Sequence, residues 1–187
     1  MKKALIIFIK NPVQGNVKTR VAKDLGDLVA LEVYKKLLTY THAITKGVAA
    51  DRFVFYGDYV NENDIWEKFI FKKKLQSGLD LGERMHNAFA MVFDEGYQHA
   101  IIIGSDCLEI SSEILEEAFM ELEKRDAVIG PVSDGGYYLL GINEVIPQLF
   151  KNKIWSGINV FDDTTRDLAK SNLSYTILQE LSDIDTA

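Results

Sequence analysis

Cysteine is almost absent from this sequence, in which Cys107 is the only one among 187 residues. No internal disulfide can therefore form, and this use of cysteine fits a reducing, cytoplasmic setting. Long apolar runs are absent as well, since no stretch reaches the roughly 20 residues that a membrane-spanning helix needs. We therefore expect a cytoplasmic protein with no membrane span.

Positive charge is scarce over the whole chain, which has 21 Lys and Arg against 28 Asp and Glu and a net charge of -7. This balance argues against a general nucleic-acid or membrane-surface binder, because both need positive potential. The first acidic residue, however, is Asp24. The charged residues before it are all basic: Lys2, Lys3, Lys10, Lys18, Arg20 and Lys23. A local pocket for a small anion is therefore compatible with the negative net charge of the chain.

The common signatures of nucleotide-binding and hydrolytic sites are also missing. The chain has neither the G-x-x-x-x-G-K-[ST] spacing of a P-loop nor the G-x-G-x-x-G of a dinucleotide fold. It has no G-x-S-x-G nucleophile motif. If the basic start binds phosphate, it does so in another nucleotide-binding architecture.

Apolar runs alternate with amphipathic stretches along most of the chain. The runs predict strands at 4–9, 52–57, 100–104, 127–132, 136–142 and 174–179. The amphipathic stretches predict helices at 27–46, 81–96, 111–126 and 162–172, with a short one inside 61–71. This order predicts a three-layer α/β/α domain over 1–187 with a mostly parallel sheet. Ligands of such sheets bind beyond the carboxyl ends of the strands.

The first strand is followed by the basic stretch "KNPVQGNVKTR", residues 10–20. Arginine can bind phosphate oxygens through parallel donors, and lysine supplies a point charge. A helix that starts near 16–18 would add free N–H groups to an anion site. The stretch therefore predicts a phosphate site made by Lys10, Gly15, Lys18, Thr19 and Arg20, the alternative being a solvated loop.

Carboxylates follow two other predicted strands. Asp106 comes just after the strand at 100–104, where a carboxylate typically holds Mg²⁺ together with substrate phosphates and water. Asp183 and Asp185 follow the last strand, and a second carboxylate there could share the cation. The alternatives are a turn cap at Asp106 and a helix N-cap near Asp185.

Two glycine-containing stretches could complete a substrate site. In "GPVSDGGYYLLG", Asp134, Gly135, Gly136 and Tyr137 are candidates for binding a substrate hydroxyl, or the stretch is simply a tight turn. In "LQSGLDLGERM", Gln76 could bond a nucleobase edge and Arg84 a phosphate, or this is a loop at a helix start. The lysines at 72–74 predict a solvated face.

Taken in order, these stretches resemble the GT-A-type nucleotide-diphospho-sugar transferases, and most closely the bacterial family of small glycosyltransferase-like proteins described as DUF2064. The resemblance lies in "KNPVQGNVKTR", "QSGLDLGERM", "GSDCLEI", "GPVSDGGYYLLG" and "DIDT", and it covers roughly residues 4–186. Leu108 departs from the family's usual Pro. Ordered motifs are more specific than any one of them alone.

The resemblance implies a role for each stretch. The basic loop would grip nucleotide phosphates, and Gln76 and Gly78 would fall where the base is read. Asp106 and Asp185 would hold Mg²⁺ or Mn²⁺. Asp134 would lie near the sugar or acceptor, where it is the first candidate for a general base.

Three functions remain open at this point. The family name favours glycosyl transfer from a nucleotide-diphospho-sugar to a small-molecule acceptor. The basic loop favours nucleotidyl transfer from an NTP, because a triphosphate carries more charge. A non-catalytic nucleotide sensor is the alternative of another class. The sequence also allows a homodimer but does not decide the oligomeric state.

Overall fold

A seven-stranded sheet in the order β3-β2-β1-β4-β6-β5-β7 forms the centre of the molecule, in a computed structural model that describes residues 1–155 and 157–183. Its strands are β1 (Lys3–Ile9), β2 (Asp51–Tyr56), β3 (Phe71–Leu75), β4 (His99–Ile103), β5 (Ala127–Pro131), β6 (Tyr137–Ile142) and β7 (Tyr175–Ile177). Strand β6 runs antiparallel to β4 and β5, while the other pairs are parallel. The mostly parallel sheet predicted from the sequence is therefore confirmed.

Helices cover both faces of the sheet: α1 (Thr19–Leu25), α2 (Asp27–Thr45), α3 (Leu81–Asp94), α4 (Ser112–Leu122) and α5 (Val160–Lys170). One core lies beneath α2 and α4 and contains Leu5, Leu37 and Leu115. The other lies beneath α3 and α5 and contains Ile6, Phe89 and Leu168. Adjacent residues of β1 thus enter opposite cores, which explains why this strand is a continuous apolar run. The three-layer prediction is confirmed.

The predicted short helix within 61–71 is wrong, and a strand is present where none was expected. Residues 62–70 form bends and turns, and β3 follows as an edge strand parallel to β2. The prediction that 72–74 is a solvated face also fails for Lys73, whose side chain is only 5% exposed. Its ammonium group bonds a carboxylate oxygen of Asp64 at 2.7 Å and the Asn61 carbonyl at 2.7 Å. A buried lysine needs such partners, so the turn and the strand stabilise each other.

The remaining differences are one shortened helix and one short helix that was not predicted. Helix α4 stops at Leu122, four residues before the predicted end at 126. Helix α1 was not predicted as a separate element and begins at Thr19, one residue after the range expected for a helix start. Among the described residues, none of the helices combines the length and apolar character needed to cross a membrane.

Candidate active site

A cleft of about 1010 Å³ opens at the carboxyl ends of the central strands. Strand β1 pairs with β2 on one edge and with β4 on the other, so the chain leaves β1 toward one side and later returns on the opposite side. The place where the strand order reverses is called a topological switch point, and the loops on its two sides diverge and leave a crevice between them. The loops after β1, β2, β3 and β4 all contribute to the cleft wall.

The basic loop after β1 forms one wall of this cleft. Lys10, Gly15, Lys18, Thr19 and Arg20 all line it, so the structure brings together the residues that the sequence singled out. Gly15 has a φ of 82°, a conformation that glycine adopts without a Cβ penalty.

Lys18 and Asp106 form an ion pair in this cleft. The ammonium nitrogen lies 2.9 Å from a carboxylate oxygen of Asp106, and the side chains are 5% and 48% exposed. Lys18 has the left-handed backbone conformation (φ 47°, ψ 47°) immediately before α1. Non-glycine residues rarely adopt this conformation, and those that do cluster at functional sites.

Tyr34 of α2 links the loop after β1 to the loop after β4. Its hydroxyl accepts a hydrogen bond from the Lys10 N–H at 2.8 Å and lies 3.1 Å from the Ser105 hydroxyl. The Lys10 carbonyl lies at 3.2 Å from the same oxygen. Burial raises the pKa of Tyr34 to about 12, so the hydroxyl keeps its proton at neutral pH.

Asn11 holds the loop after β2 in a similar way. Its side chain is 1% exposed, its amide donates to the Tyr59 carbonyl at 2.9 Å, and its oxygen accepts from the Asp58 N–H at 3.0 Å. The sequence indicated Asn11 only as part of the basic loop and Tyr34 only as one position of the helix predicted at 27–46. The position of Asn11 next to Pro12 is only a weak indication that its side chain is buried. Tyr34 falls on the apolar face of the predicted helix, so its spacing gives no indication that its hydroxyl bonds two loops.

Gln76 lies in the cleft wall, but its amide donors are already used. The amide nitrogen donates to the carbonyls of Ile9 and Phe55, each at 3.0 Å. Only the side-chain oxygen remains, and Arg84 approaches it at 3.5 Å. The expectation that Gln76 bonds a base edge is therefore narrowed, because in this structure Gln76 can offer a base only an acceptor.

Arg84 lines the cleft at the start of α3, and Gly78 packs against that helix start. The Arg84 side chain donates through Nε to the Gly78 carbonyl at 3.1 Å. An ideal Cβ on Gly78 would lie 2.8 Å from the Arg84 backbone nitrogen, so a larger residue would push the loop off the helix. Gly78 therefore orients Arg84 and does not itself line the cleft.

The chain after β7 returns to the cleft beside Asp106. Leu181 forms a parallel bridge with Val132, and the Ser182 N–H donates to the Glu109 carboxylate at 2.7 Å. Asp183 then lines the cleft, as Asp106 does. Burial raises the pKa of the Cys107 thiol, and the negative charge of Asp183 acts in the same direction. Asp185, the predicted metal ligand, lies outside the described residues.

Asp106 and Asp183 provide the oxygen donors that Mg²⁺ or Mn²⁺ prefers. No cluster of three or more His, Cys, Asp or Glu with metal-binding geometry occurs within 1–155 and 157–183. The carboxylates fit a cation that takes its other ligands from phosphate and water, rather than one enclosed entirely by protein.

The turn that carries Asp134 is beside the cleft but does not line it. The Gly136 N–H donates to a carboxylate oxygen of the exposed Asp134 at 3.0 Å. An ideal Cβ on Gly135 would overlap the carbonyl oxygen of Ile158, so this turn packs tightly on the segment before α5. Tyr137, the next residue, does line the cleft. Asp134, Gly135 and Gly136 are thus adjacent to the cleft residues but separate from them.

This fold is shared with transferases that use nucleotides. A 4-diphosphocytidyl-2C-methyl-D-erythritol synthase from Anaerococcus prevotii DSM 20548 superimposes with a TM-score of 0.62 at 12% identity, over 95% of this chain and 86% of its own. A CMP:2-keto-3-deoxy-manno-octonic acid synthetase complexed with CTP gives a TM-score of 0.56 at 11% identity, over 100% of this chain and 94% of its own. At these identities the likeness concerns the fold alone.

The family model described as "Uncharacterized protein conserved in bacteria (DUF2064)" matches residues 39–157, and the chain belongs to that family. A crystal structure from Desulfovibrio desulfuricans G20 is 31% identical and has a TM-score of 0.90, over 100% of this chain and 84% of its own. That protein is provisionally described as a nucleotide-diphospho-sugar transferase. None of the curated proteins matches the sequence.

Proposed function

We propose that this protein transfers a glycosyl group from a nucleotide-diphospho-sugar to a small acceptor, with a divalent cation bound at the cleft. The observation that carries the proposal is the Lys18–Asp106 ion pair beside the basic loop. A diphosphate with its cation needs a positive group for the phosphate oxygens and a carboxylate for the metal. Lys18 supplies the positive group and Asp106 supplies the carboxylate, and the two side chains are already in contact.

Each wall of the cleft binds a different part of the donor. Lys10, Lys18 and Arg20 bind phosphate oxygens, with Gly15 and Thr19 shaping the same loop. Arg84, oriented by Gly78, adds a further positive group from the start of α3, while Gln76 borders the base. Asp106 holds the cation, and Asp183 or Asp185 completes its protein ligands. The bound cation supplies Lewis-acid stabilisation of negative charge on the departing diphosphate.

The reaction itself is a substitution at the anomeric carbon. An acceptor hydroxyl forms the new C–O bond while the bond from that carbon to the diphosphate oxygen breaks and its electron pair leaves with the nucleotide diphosphate. Lys18 and Arg20 stabilise the charge that develops there. An acceptor that extends from the cleft past Tyr137 to the neighbouring turn of Gly135 and Gly136 would bring its hydroxyl to Asp134, the candidate general base that takes the proton.

Nucleotidyl transfer is the second candidate function, and a specific observation favours it. Lys10 and Lys18 from the loop after β1 and Arg20 from the start of α1 line a single cleft together with Arg84, which suits the higher charge of a triphosphate. In that reaction a phosphate nucleophile bonds to the α-phosphorus, and pyrophosphate leaves with the electron pair of the broken P–O bond.

A ligand screen separates these functions. Thermal stabilisation is measured with NDP-sugars and with the NTPs, each with and without Mg²⁺. We expect Mg²⁺-dependent shifts with at least one NDP-sugar. Shifts with NTPs but with no NDP-sugar would replace glycosyl transfer by nucleotidyl transfer. Tight nucleotide binding without turnover across a broad donor and acceptor panel would favour the nucleotide sensor.

The Asp106→Asn variant tests the cation site once a turnover assay exists. The change keeps the side-chain size but removes the charge that would hold the cation, so we expect product formation to fall by at least about a hundredfold. Stability should fall by about 1–3 kcal/mol, because the nearly buried Lys18 ammonium group loses its paired charge, so activity is compared at a temperature where both proteins are folded. Asp94→Asn, at the exposed end of α3, is the control and should retain full activity.

A further inference from the structure

The loops that carry Lys18 and Asp106 leave neighbouring strands at the point where the strand ladder stops. The parallel pairing of β1 with β4 ends at Ile7 opposite Ile103. Beyond that pair, the chain diverges into the basic loop on one side and the Ser105–Asp106 segment on the other. Another contact must therefore set the distance between the two loops.

Tyr34 makes that contact from a third element, helix α2. Its side chain is 2% exposed, and its hydroxyl lies within hydrogen-bond distance of both Lys10 and Ser105. Ser105 is itself only 5% exposed and directly precedes Asp106. The Lys18–Asp106 ion pair joins the same two loops again, at the far end of the basic loop and at the residue after Ser105. The contacts form a closed ring in which Tyr34 is the only member outside the loops.

The hydroxyl has one proton, so it bridges the loops in one of two ways. It accepts from the Lys10 N–H in both cases. In one, it donates to the Lys10 carbonyl and accepts from Ser105; in the other, it donates to Ser105. Both arrangements connect the loops, and a buried polar ring of this kind resists displacement because each broken bond would leave a polar group unsatisfied.

We propose that Tyr34 is a positioning residue that holds the phosphate loop and the Asp106 loop at a fixed separation and thereby couples the binding of phosphate to the binding of the cation. This rests on the proposed function, because it assumes that the cleft takes a diphosphate together with a cation. Tyr34 touches neither ligand in this account. Its effect is on the distance between the phosphate loop and the Asp106 loop.

The test measures coupling with inorganic pyrophosphate, the group common to both candidate donors. Its dissociation constant is determined by calorimetry with and without Mg²⁺, and the ratio gives the Mg²⁺ enhancement. Formation of the magnesium–pyrophosphate complex in solution is identical for all variants, so it cancels when their ratios are compared. Tyr34→Phe keeps the buried ring and removes the hydroxyl.

We expect Tyr34→Phe to lower the enhancement about tenfold, within the usual range of coupling between sites, while affinity without Mg²⁺ changes by less than about threefold. The control is Tyr97→Phe, which removes another buried hydroxyl, bonded by the Lys72 ammonium group at 2.7 Å outside the cleft, and should leave the enhancement unchanged. An unchanged enhancement in Tyr34→Phe overturns the proposal. So does an equal loss of affinity with and without Mg²⁺, since general damage to the site has that result.

Ser105→Ala gives a second, independent variant that removes the other end of the bridge. It should reproduce the loss of enhancement, and the double variant should be no worse than either single one, because all three break the same link. Additive losses would overturn the proposal. If the wild type binds no pyrophosphate even with Mg²⁺, the proposed function is wrong, and the proposal for Tyr34 is wrong with it. If the wild type shows the enhancement and the variants keep it, only the proposal for Tyr34 is wrong.

Discussion

Lys18 combines a left-handed backbone with an ammonium group that is almost fully buried. Either property alone would cost free energy, the first through steric strain and the second through desolvation. The Asp106 carboxylate offsets the second cost by pairing with the ammonium group. This combination is expected where a chain places a charge in a cleft for a ligand rather than for stability.

Lys18→Asn tests this interpretation at the level of one residue. Asparagine tolerates the left-handed conformation, so the backbone should be retained while the charge is lost. We expect affinity for pyrophosphate to fall by roughly 10- to 100-fold, the value of a charge-assisted hydrogen bond, as measured by calorimetry. Lys23→Gln, on the exposed side of α1, should bind as the wild type does. Equal binding by both variants would remove Lys18 from the phosphate site.

Residues of the cleft could be predicted from sequence where a charge follows a buried strand. Lys18, Arg20 and Asp106 all fall into that class, and the structure brings them together. Gln76 lines the same cleft, but its hydrogen bonds were not foreseeable, because they go to carbonyls at the ends of two other strands. Such partners depend on strand order, which no local pattern encodes.

At the scale of elements, β3 was missed because it lacks the apolar pattern of a buried strand. Its sequence, FKKKL, lies at the edge of the sheet beside β2, where lysines protect an exposed edge from pairing with other chains. Only Phe71 enters the core. By contrast, β1, β4 and β5 are covered on both faces and could be recognised from composition alone.

The packing of the 133–136 turn on the segment before α5 yields a prediction about elements. Gly135→Ala adds a Cβ that overlaps the Ile158 carbonyl and also strains a φ of 92°. We expect a loss of at least about 3 kcal/mol in the free energy of unfolding, measured with denaturant. Gly96→Ala, just after the end of α3, strains a similar φ of 85° but meets no atom within 4 Å, so it should cost only about 1 kcal/mol. Equal losses of unfolding free energy in the two variants would show that the cost comes from backbone strain and not from the overlap with Ile158.

At the scale of the whole molecule, ionisable groups limit the pH range of stability from both sides. A hydrogen bond from His42 lowers the pKa of Glu67 to about 2, and a hydrogen bond from Tyr97 lowers the pKa of Asp51. Burial raises the pKa of Tyr34 to about 12 and also raises that of Tyr56. The folded state therefore binds fewer protons than the unfolded chain in acid and more in alkali.

The signs of these shifts predict two limbs in a plot of thermal midpoint against pH. The carboxylates contribute stability above their usual pKa, 4.5 for Glu, and lose it as pH falls toward 2. The tyrosines contribute stability below their usual value of 10 and lose it as pH rises toward 12. Tyr34→Phe should flatten the alkaline limb relative to neutral pH, whereas Tyr59→Phe, at an exposed site, should not. An alkaline limb identical in both variants would contradict the assignment to Tyr34.

The layered α/β class and the groups of charged residues that follow the strands could be predicted from the amino-acid sequence, because burial on two faces and local charge both depend on short stretches of residues. Three contacts appear only in the folded molecule: Lys18 pairs with Asp106, Gln76 bonds backbone carbonyls, and Tyr34 joins the loop after β1 to Ser105, which lies 71 residues after Tyr34 in the chain. The physical reason is that these contacts join elements that are distant in sequence. They arise only when parallel strands bring their carboxyl ends, and the helix above them, to one place.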